Sequence, residues 1–285
     1  MPSPTIAVVL LGLGSSIAWG ISDFLGGLST RRAPLLGVLA ITQVLGVALA
    51  LPLAVAHGES LPSQSDLGWS VVSGLFGVVG LGCLYHGLGV GRMGVVAPVT
   101  GVLVAIIPVG FGFALEGTPG PLAIVGIGLA IASVAVVARV PGEHAGQSSG
   151  FWWGVASGLT LGAFTVTISR VTHGLVFGPL AVVRLTEALI CAVAIVATRR
   201  AWRPPREAWR ALVGVGLFDM TGTAAYIFAV QIGPLAIAGV LAALYPVVTV
   251  IGAATILRER MTRAHAIGVA AATVGVILIA GGQSS

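Results

Sequence analysis

Ten stretches of roughly twenty residues, each nearly free of charge, follow one another along this chain. They lie at about 5–28, 34–56, 67–90, 94–115, 121–139, 151–171, 179–198, 209–231, 234–257 and 264–282. A helix needs about 20 predominantly apolar residues to cross the ~30 Å hydrocarbon core of a bilayer. The pattern predicts an all-α membrane protein of ten transmembrane helices. Connections are mostly four to ten residues long, which makes neighbouring helices antiparallel. Composition agrees. Of the 285 residues, 56% are apolar and 8% are charged, against roughly a quarter charged in a soluble domain. Mean hydropathy is +1.06. A soluble globular protein, a disordered chain and a nucleic-acid binder are all excluded. The first stretch lacks a basic leader and is expected to remain as a span.

The chain also resembles itself. Leu75-Phe76-Gly77-Val78-Val79-Gly80 aligns with Leu217-Phe218-Asp219-Met220-Thr221-Gly222, and Gly91 with Gly233, at an offset of 142. Pro34-Leu35 meets Pro179-Leu180, Thr42-Gln43 meets Thr186-Glu187, and Glu116 meets Glu259, at offsets of 143 to 145. Each half then holds five spans. An odd number forces the second copy to enter the bilayer in the opposite sense, giving two inverted five-helix repeats, an architecture of secondary transporters. The first repeat covers 1–140, the linker 141–150 and the second repeat 151–285.

Trp19-Gly20-Ile21-Ser22-Asp23-Phe24-Leu25-Gly26-Gly27 resembles the first-span motif of bacterial EamA-type members of the drug/metabolite transporter superfamily. Leu244-Tyr245-Pro246, followed by Leu257-Arg258-Glu259-Arg260, resembles the stretch that closes the second repeat of that family. Glu116-Gly117-Thr118-Pro119 departs from the Gly-Glu-basic turn usual in the first repeat, and both termini lack basic residues. The resemblance covers the whole chain. It implies a transporter of small metabolites, amino acids or drugs, with export favoured, and it leaves the substrate open.

All fourteen basic residues are arginine. This bias, with abundant Ala, Gly and Val, suggests a high-GC bacterial genome and hence the bacterial cytoplasmic (inner) membrane. Twelve of the arginines fall in the connections after spans 1, 3, 5, 7 and 9, while Arg170 stands alone on the other side and Arg184 lies within a span. The positive-inside rule places the twelve in the cytoplasm and both termini outside. The family resemblance implies termini inside. Trp69, Trp152, Trp153, Trp202 and Trp209 fall near span ends, as an aromatic belt requires.

Polar residues within spans carry the functional expectations, since a charge at mid-membrane costs at least about 2.5 kcal/mol. Asp219 lies near the middle of span 8, either as a proton or cation acceptor or as an interhelical hydrogen-bonding group. Asp23 either serves the same function or forms an interfacial ion pair with Arg31 and Arg32. Arg184 and Glu187, spaced i, i+3, share a helix face and can neutralise each other. Alternatively, Arg184 binds an anionic group of a substrate. His86 either titrates or packs through a hydrogen bond. Trp19, Gln43, Tyr226, Gln231 and Tyr245 are candidate cavity linings. Pro98, Pro108 and Pro246 are candidate helix breaks, each removing a backbone hydrogen bond.

Gly154, Gly158 and Gly162 form a doubled GxxxG suited to close helix packing, within the bundle rather than between copies. Gly89-Val90-Gly91-Arg92-Met93-Gly94 matches a dinucleotide fingerprint but follows a span and not a strand. Cys83 and Cys191 fall inside spans, and no CxxC, P-loop, GxSxG or HExxH occurs. No metal or cofactor is expected. The predicted partners are a small-molecule substrate and the lipid bilayer, with no nucleic acid, for a monomer or homodimer. The chain reads as a secondary transporter working by alternating access, possible proton coupling included. An importer or facilitator and a lipid-handling membrane enzyme are the alternatives.

Overall fold

The computed structural model describes residues 4–116, 149–258 and 263–281, with 121–122, 124–126, 128–129 and 132. The fifth predicted span and the linker fall mostly outside the described residues. Among the described residues all regular structure is helical: α1 (Pro4–Thr30), α2 (Leu35–Ala56), α3 (Gln64–Val90), α4 (Met93–Glu116), α5 (Phe151–Ile168), α6 (Phe177–Thr198), α7 (Trp209–Ile232), α8 (Leu235–Ala242), α9 (Tyr245–Thr255) and α10 (Arg263–Gly281). A single 3₁₀ turn, Arg206–Ala208, leads into α7.

Among the described residues, eight segments are long and apolar enough to cross a membrane, namely α1 to α7 and the α8–α9 stretch Ile237–Thr255. The chain is a multi-pass membrane protein. Outward faces fit that setting. Along α6, Leu185, Leu189, Val193 and Val196 are exposed at helical spacing, where lipid is as apolar as any protein interior. The five tryptophans named above are exposed near helix ends.

Of the three candidate helix breaks, Pro246 coincides with an interruption and Pro98 and Pro108 do not. The ninth stretch is not one helix, because α8 ends at Ala242 and α9 begins at Tyr245. Pro246 sits in the first turn of α9, where its missing N–H costs nothing, while its ring disfavours a helix continued through the carbonyl four residues earlier. The chain bridges the break with a tighter bond from the Leu244 N–H to the Leu241 carbonyl. Pro98 and Pro108, by contrast, lie inside a continuous α4. Without water to satisfy freed backbone groups, keeping the remaining helical bonds is the cheaper outcome.

Helix pairing comes in couples related by exchange of the two halves. α1 packs on α7 as α3 packs on α5, and α1 packs on α8 and α9 as α4 packs on α5. α2 packs on α7 as α3 packs on α6, while α2 meets its own counterpart α6. The glycine stripe of α5 makes one of these contacts possible. A Cβ at Gly158 or Gly162 would lie 2.6 Å from Leu103 or Ile107 of α4. The doubled GxxxG thus packs within the bundle, as expected.

Short connections gather at two ends. One end carries the arginine-rich turns. There Arg31 donates to the Leu88 carbonyl and Thr30 to the Tyr85 carbonyl. At the other end, acids of the first half hold the loop between α5 and α6. Glu59 Oε1 accepts the N–H groups of Val176 and Phe177 at 3.0 and 2.9 Å, and Oε2 that of Gly178 at 2.7 Å. These are orphan donors at the start of α6, and a carboxylate there also meets the positive end of the helix dipole. Asp66 closes a capping box with Ser63 at the start of α3 and accepts the Thr172 N–H at 2.8 Å.

Candidate functional site

Arg184 projects from the middle of α6 into the bundle and is 2% exposed. A buried guanidinium is tolerable only if its fork of donors is matched by acceptors. Four acceptors from three helices meet it. Nη1 donates to Glu187 Oε2 at 2.9 Å and to Gln43 Oε1 at 3.0 Å. Nη2 donates to Thr223 Oγ1 at 2.9 Å and pairs with Asp219 Oδ2 at 2.8 Å. Thr223 is held in turn, since its hydroxyl donates to the Asp219 carbonyl and its oxygen accepts the Trp19 Nε1–H at 3.2 Å. Trp19 packs between Tyr226 and Tyr245, with ring centroids 5.5 and 6.5 Å away.

This cluster borders a cavity of about 40 Å³, whose walls include Trp19, Asp23, Gly77, Arg184, Asp219 and Tyr245. That volume holds a few water molecules. The walls come from both halves at matched positions. Trp19 and Leu161, Asp23 and Thr165, Gly77 and Asp219, and Leu81 and Thr223 are each 142 residues apart, and all eight line the cavity. Charge is uneven, with three carboxyl groups (Asp23, Glu187 and Asp219) facing one guanidinium. Asp23, buried at 6% exposure, makes no hydrogen bond or ion pair among the described residues. Four buried polar atoms of this cluster also have no partner among them: Gln43 Nε2, Arg184 Nε, Glu187 Oε1 and Tyr245 Oη.

The structure therefore gathers Trp19, Asp23, Gln43, Arg184, Glu187, Asp219 and Tyr245 at one place. Arg184 and Glu187 do pair as their spacing predicts, but Asp219 joins the same guanidinium, so the mid-span acid is not isolated. Asp23 faces the cavity and not Arg31 or Arg32. Tyr226 stands just behind, donating its hydroxyl to the Thr165 carbonyl at 3.2 Å. His86 lies elsewhere, stacked edge-on against Trp153 with centroids 4.6 Å apart. Gln231 is not a cavity lining. It pins the α5–α6 loop through the Gly174 N–H and the Leu175 carbonyl. Pro98, Pro108 and Pro246 are absent from the cavity wall, though Tyr245 beside Pro246 is part of it. Thr165 and Thr223 escaped the sequence reading, and Gly77 entered it only as the counterpart of Asp219. The 142-residue offset applied to Trp19, Asp23 and Asp219 would have found all but Thr223, which follows from Leu81.

The profile of the EamA-like transporter family matches residues 6–139 and again residues 148–281. No curated protein matches the chain significantly. One solved crystal structure, described only as that of a protein, is 20% identical, covers 95% of this chain and 96% of its own, and superposes with a TM-score of 0.70. At that identity the likeness speaks for the fold alone.

Proposed function

This chain belongs to the EamA-like transporter family, and from that premise we propose that it is a secondary transporter of a small polar solute, exporting metabolites, amino acids or drugs across the bacterial cytoplasmic membrane. We read it as ten spans in two inverted five-helix repeats that rock against each other to alternate access. One observation carries the reading: a charged, buried cavity whose walls are equivalent positions of the two repeats. A site on the axis relating two halves is the place that rocking motion exposes first to one side and then to the other. The unpaired Tyr245 hydroxyl and Glu187 oxygen, both of wall residues, supply polar contacts for a solute.

Three carboxyls against one guanidinium also favour coupling to protons or to cationic cargo. Fully ionised, the set carries two uncompensated negative charges in a low-dielectric setting, which is costly. Arg184 holds Asp219, so we place the exchangeable proton on the Asp23–Asp219 pair of acids rather than on Asp219 alone. The test is uptake into proteoliposomes under an imposed pH gradient, using a solute chosen by thermal-shift screening of amino acids, sugars and cationic drugs. Asp23→Asn and Asp219→Asn should insert, lose gradient-driven accumulation and keep solute exchange. Unimpaired accumulation by both variants would reject the coupling role, and a screen followed by no transport of any stabilising solute would reject the transporter reading.

A further inference from the structure

A second site lies on the outer face of the bundle, at the arginine-rich end of the seam between α2 and α6. A groove of about 790 Å³ runs there, walled by Ile41 and Val44 of α2 and Ala192 and Val196 of α6, and closed by Trp202 and Trp209. The connection that closes it is fixed in place. Arg199 ends α6 in the left-handed region, at φ 51°, which turns the chain across the seam. The Trp202 carbonyl then packs against Gly37 so closely that a Cβ there would collide with it.

That connection and the first turn of α7 hold Arg199, Arg200, Arg203, Arg206 and Arg210, with Glu207 as the single acid among them. All five arginines are exposed, and among the described residues none makes a salt bridge. Arg203 lines the groove and lies over the Trp202 ring, 5.8 Å from its centroid. An apolar slot in the lipid-facing surface thus ends at Arg203, in a connection rich in exposed arginines and between interfacial tryptophans. The other end of the same seam supplies the contrast. A smaller groove of about 270 Å³ lies there, walled by Leu51, Val55 and Leu185, and its only charged wall residue is Glu59. Apolar lining is common to both ends, and positive charge belongs to one.

We propose that the α2–α6 groove is a binding site for an anionic phospholipid. One acyl chain lies along Ile41, Val44, Ala192 and Val196, and the headgroup phosphate is held by Arg203 with Arg199 or Arg200. Basic pockets between spans bind anionic headgroups for this reason, and the phosphate is matched by the guanidinium fork. The site is separate from the central cavity and does not depend on what that cavity carries.

The test uses the full chain purified in a neutral detergent. Dioleoyl phosphatidylglycerol and dioleoyl phosphatidylcholine are added in turn, with bound lipid counted by native mass spectrometry and melting followed in parallel. Phosphatidylglycerol should be retained with about a tenfold preference, equivalent to about 1.4 kcal/mol, and should raise the melting midpoint where phosphatidylcholine does not. The R199Q/R200Q/R203Q variant should lose that preference and still elute as a single species. A192F, which fills the groove, should lose retention of both lipids. R170Q, at the opposite end, should behave as the parent. Equal retention of the two lipids, a triple variant that keeps the preference, or a melting shift produced by glycerol phosphate alone would overturn the proposal. So would a lipid-free dimer that A192F dissociates, since the groove would then seat a second copy of the chain.

Discussion

Gly77 and Asp219 stand 142 residues apart, at the same place in the two repeats, and both line one cavity. They are not interchangeable. A Cβ at Gly77 would collide with Glu187 Oε1, so the first repeat leaves bare backbone where the second carries a carboxylate. The second half supplies the charge and the first half supplies the room for it. Two equivalent positions of the repeat thus form an asymmetric site.

Gly77→Ala should therefore lower stability by about 1–3 kcal/mol, the usual cost of overpacking. Gly68 is the control in the same helix, because nothing lies within 4 Å of a Cβ built there. Gly68→Ala should leave the melting midpoint unchanged or slightly raised. Equal midpoints for the two variants in detergent would show that Glu187 has another place to go.

Removing Arg184 strands two acids. Arg184→Gln leaves Glu187 and Asp219 buried without their cation, and a loss of about 3–5 kcal/mol is expected. Arg184→Lys should recover part of it, since one ammonium cannot match four acceptors spread over three helices. Melting of the three proteins in one detergent should rank them parent, Lys, Gln. A Gln variant as stable as the parent would mean that the pairs contribute little.

Glu59 joins the two halves at the end away from the arginine cluster. In Glu59→Gln the negative charge and one acceptor are lost, while three backbone donors at Val176, Phe177 and Gly178 remain. Hydrogen bonds to charged groups contribute about 1.5–3 kcal/mol each. Amide exchange at 176–178 should accelerate by at least about tenfold, a change of about 1.4 kcal/mol, with α1 and α7 protected as before. Unchanged exchange there would remove Glu59 as a clasp.

Tyr245 offers a way to separate folding from binding. Its hydroxyl is buried, lines the cavity and has no partner among the described residues. Tyr245→Phe should cost no stability, because an unpaired buried polar group is itself a penalty. If the hydroxyl contacts the solute, affinity should fall about tenfold, equivalent to about 1.4 kcal/mol. Parent-like affinity in a binding titration would place the solute away from Tyr245.

Run length alone determined that this chain is a multi-pass helical membrane protein, because a bilayer accepts few alternatives to apolar helices. A near-constant offset exposed the two repeats, and an i, i+3 spacing joined Arg184 to Glu187, since both are one-dimensional facts. The stripe of Gly154, Gly158 and Gly162 likewise announced a close helix contact, though not that α4 would fill it. The rest needed the fold. In a chain apolar on nearly every face, hydrophobic periodicity does not tell which side of a helix points inward, because lipid and protein interior are alike to it. Helix rotation and depth brought Asp219 of α7 and Gln43 of α2 to the guanidinium of α6, turned Asp23 toward the cavity and away from Arg31, and carried Glu59 to the start of α6. The break at Ala243–Leu244 was announced no more strongly than two that do not occur: Pro98, Pro108 and Pro246 look the same in sequence, and only the position of Pro246 in the first turn of a new helix separates it from the two that α4 absorbs.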